Sequence, residues 1–225
     1  MMNASLSRVS VRNSVIERLR RHPAAFQVPA RNLDMFTVRD FLTPAECEGL
    51  IRMIDADRQP STVLGETADP DYRTSESCNL NPHHSLVKAV ESKIEALMGI
   101  PFEFGETIQG QRYAVGQQFK AHHDFFFTDQ PYWEKESAQG GQRTWTAMMF
   151  LNHVEAGGQT YFEKAGVRIT PRAGNLLTWN NLDTNGDPNL QSLHQGSPVE
   201  AGVKYVITKW FRESPWRPAP AVPAH

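Results

Sequence analysis

The segment Phe119-Lys-Ala-His122-His123-Asp124-Phe125 sets a histidine and an aspartate two residues apart in a strand-like run. Side chains at i and i+2 of a strand share a face, so His122 and Asp124 can converge on one cation while His123 points the other way. Two donors do not hold a metal tightly. His194, in Ser192-Leu-His194-Gln-Gly196 ahead of an apolar run, is the best third donor in the chain. Two imidazoles and one carboxylate form the facial triad that suits non-haem Fe(II) and leaves positions open for a substrate and O2. On spacing alone, a structural histidine pair competes with this reading. Lys204 follows His194 and opens the run Lys204-Tyr-Val-Ile-Thr-Lys-Trp210-Phe-Arg212. It either starts that strand at the surface or projects into a half-buried barrel as counter-ion of an acidic co-substrate, since an unpaired buried ammonium is costly. Glu134 and Glu136, at i and i+2 in a loop, read as solvated rather than as an acid–base pair.

These groups need a rigid frame, and the sequence reads as helices followed by strands. Val11, Val15, Ile16 and Leu19 recur at helical spacing until Pro23, which predicts an amphipathic surface helix. Arg8, Arg12, Arg18, Arg20 and Arg21 beside the lone acid Glu17 also fit a transit peptide by composition. A short strand is expected over 35–38. Thr43-Pro-Ala-Glu46 is a capping box with proline at the first helical position, and Cys47, Leu50, Ile51 and Ile54 supply one apolar face. A second helix is expected after Pro82 on Leu86, Val90, Ile94 and Leu97, with Gly99 as its stop.

From Ile108 the period becomes that of strands, over 108–115, 144–151, 160–162, 167–170, 176–179 and 204–211. The fold class expected is α+β, a double-stranded β-helix (jelly-roll) core with N-terminal buttressing helices. Stretches 59–81 and 125–141 are long and lack either period. They are expected to be mobile covers, with Arg73 and Trp133 ordering together over a bound substrate. The organisation expected is a helical extension over 1–32, one domain over 33–213 with its core at 106–213, and a proline-rich tail over 214–225.

Several segments then match one family in order. They are Phe41-Leu-Thr-Pro-Ala-Glu-Cys47 with Leu50-Ile51, Tyr72-Arg-Thr-Ser75, Gln111-Arg-Tyr113-Ala-Val-Gly116-Gln117 and His122-His-Asp124. Gly140-Gly-Gln-Arg143-Thr-Trp-Thr146, Phe150-Leu-Asn152 and Gly157-Gly-Gln-Thr160 continue the series, which ends with Leu193-His194-Gln-Gly-Ser-Pro198-Val and Gly202-Val-Lys204-Tyr. Over residues 34–212 the chain resembles the prolyl 4-hydroxylases of the Fe(II)/2-oxoglutarate-dependent dioxygenase superfamily. The resemblance implies that His122, Asp124 and His194 are iron ligands and that Lys204 pairs with the distal carboxylate of 2-oxoglutarate. It implies that Thr160 and Tyr113 are hydroxyl partners of that co-substrate, although Tyr113 reads equally well as a core aromatic. Arg143, Trp210 and Arg212 resemble positions facing a peptide substrate, where a solvated strand face is the plainer reading for Arg212. Arg73 resembles part of a lid, or belongs to an ordinary surface loop.

The implied cofactors are Fe(II), 2-oxoglutarate as co-substrate, and ascorbate. The implied partners are O2 and a proline-containing protein or peptide, hydroxylated at C4 as 2-oxoglutarate is decarboxylated to succinate and CO2. Two other functions compete: the same chemistry on a free amino acid or other small molecule, and a non-catalytic jelly-roll binding module, which the intact triad with Lys204 disfavours. The chain departs from the family pattern at Gln159 and Tyr205, where Glu and Trp are usual. The segment between Asp124 and Thr144 is local to this chain. It carries Phe125, Phe126, Phe127, Tyr132 and Trp133, and substrate identity is expected to reside there.

Composition removes other classes. At 225 residues the chain fits one domain with a core of its own. Twenty-three Lys+Arg against 25 Asp+Glu, a formal net charge of −2, argues against a nucleic-acid binder with a basic face. No apolar run approaches the roughly 20 residues of a membrane helix. Cys47 and Cys78 are isolated thiols, which with the lack of a secretory apolar region leads to the expectation of a reducing, cytoplasmic setting. Oligomeric state leaves no signal in the sequence.

Overall fold

The computed structural model describes residues 8–63 and 69–218. Its elements in chain order are α1 (Arg8–Arg21), β1 (Ala25–Gln27), β2 (Met35–Val38), α2 (Pro44–Asp57), β3 (Gln59–Pro60), β4 (Glu76–Asn79) and α3 (Ser85–Met98). They continue with β5 (Gln109–Tyr113), β6 (Phe119–His122), α4 (Trp133–Ala138), β7 (Arg143–Phe150), β8 (Ala156–Gly157) and β9 (Thr160–Phe162). The chain ends on β10 (Val167–Ile169), β11 (Leu176–Asn180), β12 (His194–Gly196), β13 (Val199–Ala201) and β14 (Lys204–Arg212). Two 3-10 turns, Phe102–Phe104 and Leu190–Ser192, connect them.

The helices form where the sequence marks them. Thr43 caps α2 by accepting the Glu46 N–H at 3.3 Å, and the Glu46 carboxylate accepts the Thr43 N–H at 2.7 Å. Gly99 ends α3 at φ 70°, a left-handed conformation that a side chain would strain. Helix α1 is no loose leader. It buries Val15, Ile16 and Leu19, and Arg12 forks onto Asp34 at 2.6 and 3.1 Å. Strand β1 extends the main sheet by pairing with β2, so the N-terminal extension is continuous with the domain.

An eight-stranded antiparallel sheet runs in the order β1-β2-β11-β7-β14-β5-β4-β3, facing a four-stranded sheet in the order β10-β9-β12-β6 and a β13-β8 ribbon. The alternation of strand side chains gives the large sheet two apolar faces. One packs Trp145, Ala147, Met149, Ile207 and Phe211 against the helices. The other packs Met148, Phe150, Leu177, Trp179 and Val206 against Phe162, Val167 and Val199 of the smaller layers, which is the jelly-roll interior.

Two expectations need correction. Stretch 59–81 holds β3 and β4, and 125–141 holds α4. Two-residue strands and the polar run Glu-Ser-Cys-Asn show no readable alternation, and β4 gains its place by pairing with β5. The tail is tied at its start, where Trp216 N–H donates to Glu103 O at 2.7 Å and Arg217 N–H to Gln139 O at 3.2 Å. The rest of the expected tail, 219–225, lies outside the described residues, as do 1–7 and 64–68.

Candidate active site

The pairing of β6 with β12 sets His122 directly opposite His194. Asp124 joins them from beyond the end of β6, so the turn after that strand, rather than continued strand alternation, brings it round. Donor atoms of His122, Asp124 and His194 all lie within 4.8 Å of one another. His122 Nε2 is 3.8 Å from Asp124 Oδ1, and His194 Nε2 is 3.9 Å from Asp124 Oδ2. These separations suit donors spread around one cation, being too long for hydrogen bonds between them.

Each imidazole is oriented from behind. His122 Nδ1 lies 2.8 Å from Lys120 O and His194 Nδ1 lies 2.9 Å from Ser192 O. A carbonyl only accepts, so both rings carry their proton on Nδ1 and turn an Nε2 lone pair inward. Phe119 stacks on His122 with centroids 3.6 Å apart, and Phe162 stacks on His194 at 5.1 Å. Burial, with His194 nearby, pushes the His122 pKa down to about 3, keeping it a neutral ligand. Burial would raise the Asp124 pKa, but His194, His122, Arg143 and the Thr146 hydroxyl together hold it below the usual range. His123, also beyond the end of β6, is not among the converging donors and stacks on Phe125 with centroids 4.4 Å apart.

A narrow cleft of ≈ 40 Å³ runs from the triad into the barrel, walled by Tyr113, Met148, Thr160, Trp179, Lys204 and Trp210 among others. Lys204 pairs with Tyr113 in register and is 2% exposed. No carboxylate lies within ion-pair distance of it among the described residues, and burial alone drives its pKa down to about 7. Thr160 Oγ1 is buried with no hydrogen-bond partner. Tyr113 is buried too, its hydroxyl donating to Gln111 Oε1 at 2.8 Å. An unpaired cation beside an orphaned hydroxyl, on the same cleft as three metal donors, fits a carboxylate-bearing ligand that also reaches a metal.

Outside the triad the cleft opens into a groove of ≈ 510 Å³. Tyr72, Arg73, Phe125, Phe127, Tyr132 and Arg143 line it, and Trp210 borders both spaces. Arg73 lies 4.7 Å over the Phe119 ring and donates to Gln109 Oε1 and Thr62 O, each at 2.8 Å. Arg143 forks onto Glu106 at 2.6 and 2.7 Å and stacks over Trp210 at 4.2 Å.

Arg212 does not face the groove. It is 3% exposed, and its guanidinium is consumed by Glu106 at 2.6 Å, Glu136 at 2.6 Å and Gly141 O at 2.7 Å. Glu136 is correspondingly buried rather than solvated, because α4 folds back onto the sheet and buries it against Arg212. Trp133 is not among the groove-lining residues, and its neighbour Tyr132 takes that place. Sequence reasoning missed Glu106, Thr146 and Asn181. Thr146 was accessible, since alternation along β7 puts it on the Met148 face, whereas Glu106 and Asn181 lie in irregular connections without a period.

The family profile described as the 2OG-Fe(II) oxygenase superfamily matches residues 108–212. The chain is 33% identical over 200 residues to a probable prolyl 4-hydroxylase of Arabidopsis thaliana, covering 78% of this chain and 67% of the relative. It spans about two thirds of the length of the curated relatives it matches. Its fold is similar to a viral collagen prolyl hydroxylase from Paramecium Bursaria Chlorella virus-1 solved with 2OG. There the TM-score is 0.64 at 24% identity, over 79% of this chain and 95% of that one. A Trichoplax adhaerens prolyl hydroxylase, solved with a peptide fragment of the hypoxia inducible factor oxygen degradation domain, matches with TM-score 0.61 at 15% identity, over 92% of this chain and 90% of that one.

Proposed function

The chain belongs to the prolyl 4-hydroxylases of the 2OG-Fe(II) oxygenase superfamily, and from that membership we propose that it hydroxylates C4 of proline in a protein or peptide. The observation that carries this reading is that a buried Lys204 and a Thr160 hydroxyl, neither with a polar partner among the described residues, share one cleft with the His122–Asp124–His194 triad. Bound there, Fe(II) and 2-oxoglutarate supply the O2-dependent oxidation in which the co-substrate becomes succinate and CO2.

His122, Asp124 and His194 hold the metal through two neutral imidazoles and one carboxylate. Lys204 binds the distal carboxylate of the co-substrate, and Thr160 donates its free hydroxyl to the same group. Tyr113, seated beside Lys204 with centroid and ammonium 5.1 Å apart, walls the cleft and excludes water from that ion pair. Trp210 stands between co-substrate cleft and substrate groove. Arg143, held flat against it by Glu106, and Arg73, held over Phe119, shape the groove in which an extended polypeptide presents its proline. Arg212 contributes indirectly by fixing Glu106. Ascorbate belongs to the same reading as a reductant that keeps the metal ferrous. Two free buried cysteines favour a reducing compartment, which we take to be the cytoplasm.

The test is mass spectrometry of a proline-containing peptide pool incubated with the iron-loaded protein, O2 and 2-oxoglutarate. One added oxygen at proline C4, with one succinate formed per hydroxylation, is expected. Oxygen added to a free amino acid with the peptides untouched would overturn the polypeptide assignment.

A further inference from the structure

A carboxylate that ligates a metal must be aimed, and Asp124, in the bend beyond β6, has no strand to aim it. Its Oδ2 accepts a hydrogen bond from Thr146 Oγ1 at 2.7 Å. Thr146 Oγ1 in turn accepts from Asn181 Nδ2 at 2.9 Å. Thr146 and Asn181 are each fully buried, so water does not compete for these bonds. The order of donors is fixed. Asn181 supplies an N–H to the threonine oxygen, which leaves the threonine O–H to point at the carboxylate.

Asn181 is itself held through both its backbone N–H and its C=O. Its N–H donates to Thr144 O at 2.7 Å and its C=O accepts from Asn189 N–H at 2.9 Å. Asn189 O then accepts the Ser192 hydroxyl at 2.8 Å, and Ser192 O holds His194 Nδ1 at 2.9 Å. One residue following β11 therefore touches two supports, through its side chain toward Asp124 and through its backbone toward His194. Packing favours this reading over a purely structural one: an apolar pair would fill the Thr146 and Asn181 positions without burying polar atoms, and Asn181 Oδ1 remains unpartnered there.

We infer that Thr146 and Asn181 are positioning residues that preset the Asp124 carboxylate for the metal, Asn181 acting through the Thr146 hydroxyl. The inference rests on the metal-site reading above. Partners of this kind, behind the ligands, typically set metal affinity by 10–100-fold. Thr146→Val keeps the shape and removes the donor. Thr146→Ser keeps the donor. Asn181→Ala removes the second link.

The experiment is calorimetric titration of the whole chain with Mn(II) alone, with Co(II) visible spectra reporting ligand geometry and circular dichroism reporting folding. Thr146→Val is expected to weaken Mn(II) binding by about 10-fold or more and to change the Co(II) spectrum, and Thr146→Ser to restore both. The double variant Thr146→Val, Asn181→Ala is expected to bind no worse than Thr146→Val, because the second residue works through the first. If Thr146→Val does not fold, Asn181→Ala alone carries the test, with a several-fold loss of Mn(II) affinity expected. Folded variants that bind Mn(II) within about twofold of the parent, or additive losses in the double variant, would overturn the inference. A parent protein that binds no Mn(II) at all would instead overturn the metal site itself.

Discussion

Replacing Lys204 by methionine removes an ammonium whose burial cost the fold bears with no counter-ion among the described residues. The fall of its pKa from 10.5 to about 7 is the expression of that cost. At about 1.4 kcal/mol per pH unit it is on the order of 5 kcal/mol. The folded pKa lies below the unfolded one, so the folded state releases its proton first as pH rises. Below about pH 7 both states are protonated and the whole cost is present; toward pH 10.5 the cost shrinks to nothing. Metal-free Lys204→Met should therefore be more stable than the parent near pH 6, by roughly 10–20 °C in Tm for a chain of this size. The gain should shrink by about half near pH 9. The same variant should lose 2-oxoglutarate affinity by at least about tenfold, as expected when a buried ligand charge loses its partner. Thermal melts at the two pH values and calorimetry with Mn(II) and 2-oxoglutarate test both halves. Equal stability near pH 6, a gain independent of pH, or unchanged 2-oxoglutarate binding would refute the argument that this lysine is a strained, waiting cation.

Because the unliganded Lys204 pKa sits at about 7 and a bound carboxylate raises it, 2-oxoglutarate binding near pH 8 should take up a proton, which appears as a dependence of the binding heat on buffer ionisation enthalpy. Asp124→Ala should abolish tight Mn(II) binding, whereas His123→Ala should leave it within about twofold; calorimetry distinguishes the two roles. Glu106→Gln strips the charge that joins half-buried Arg143 to buried Arg212 and should destabilise the fold by about 3–5 kcal/mol in urea denaturation, the usual result of breaking a buried pair from one side. Hydrogen exchange over 125–132 and at Tyr72–Arg73 should slow when a proline peptide binds the Mn(II)- and 2-oxoglutarate-loaded protein, and unaltered exchange would place substrate selection at Arg143 and Trp210 instead.

What the sequence made legible were features with a period or a local chemical signature. The capping box at Thr43, the stop at Gly99 and the β-branched and aromatic runs of β7 and β14 each determine their own neighbourhood, so they could be read without knowing what they touch. The triad needed His122 and His194 to lie opposite one another across β6 and β12, a pairing between strands of four and three residues, so a family resemblance supplied what spacing did not. Arg212 was misjudged for the same reason. A strand-end arginine has no signature that distinguishes a groove-facing side chain from one locked between Glu106 and Glu136, since both acids arrive from irregular or short elements. Glu136 looked solvated because a six-residue helix gives too little pattern to show which side is buried.

The alternation of β7 has a consequence for how the protein ages. Met148 walls the cleft beside the triad, while Met149, its neighbour in the chain, lies buried on the helix-packed face of the same sheet. Two thioethers of identical chemistry thus sit on opposite sides of a peptide layer. Of the two, Met148 is the one that borders the space where O2 chemistry would take place. Sulfoxide at position 148 would put a polar oxygen into the wall of that cleft. Cys47 and Cys78 share the sheltered side with Met149. Sulfoxide left by turnover is to be sought at position 148, with the next residue in the chain as its control.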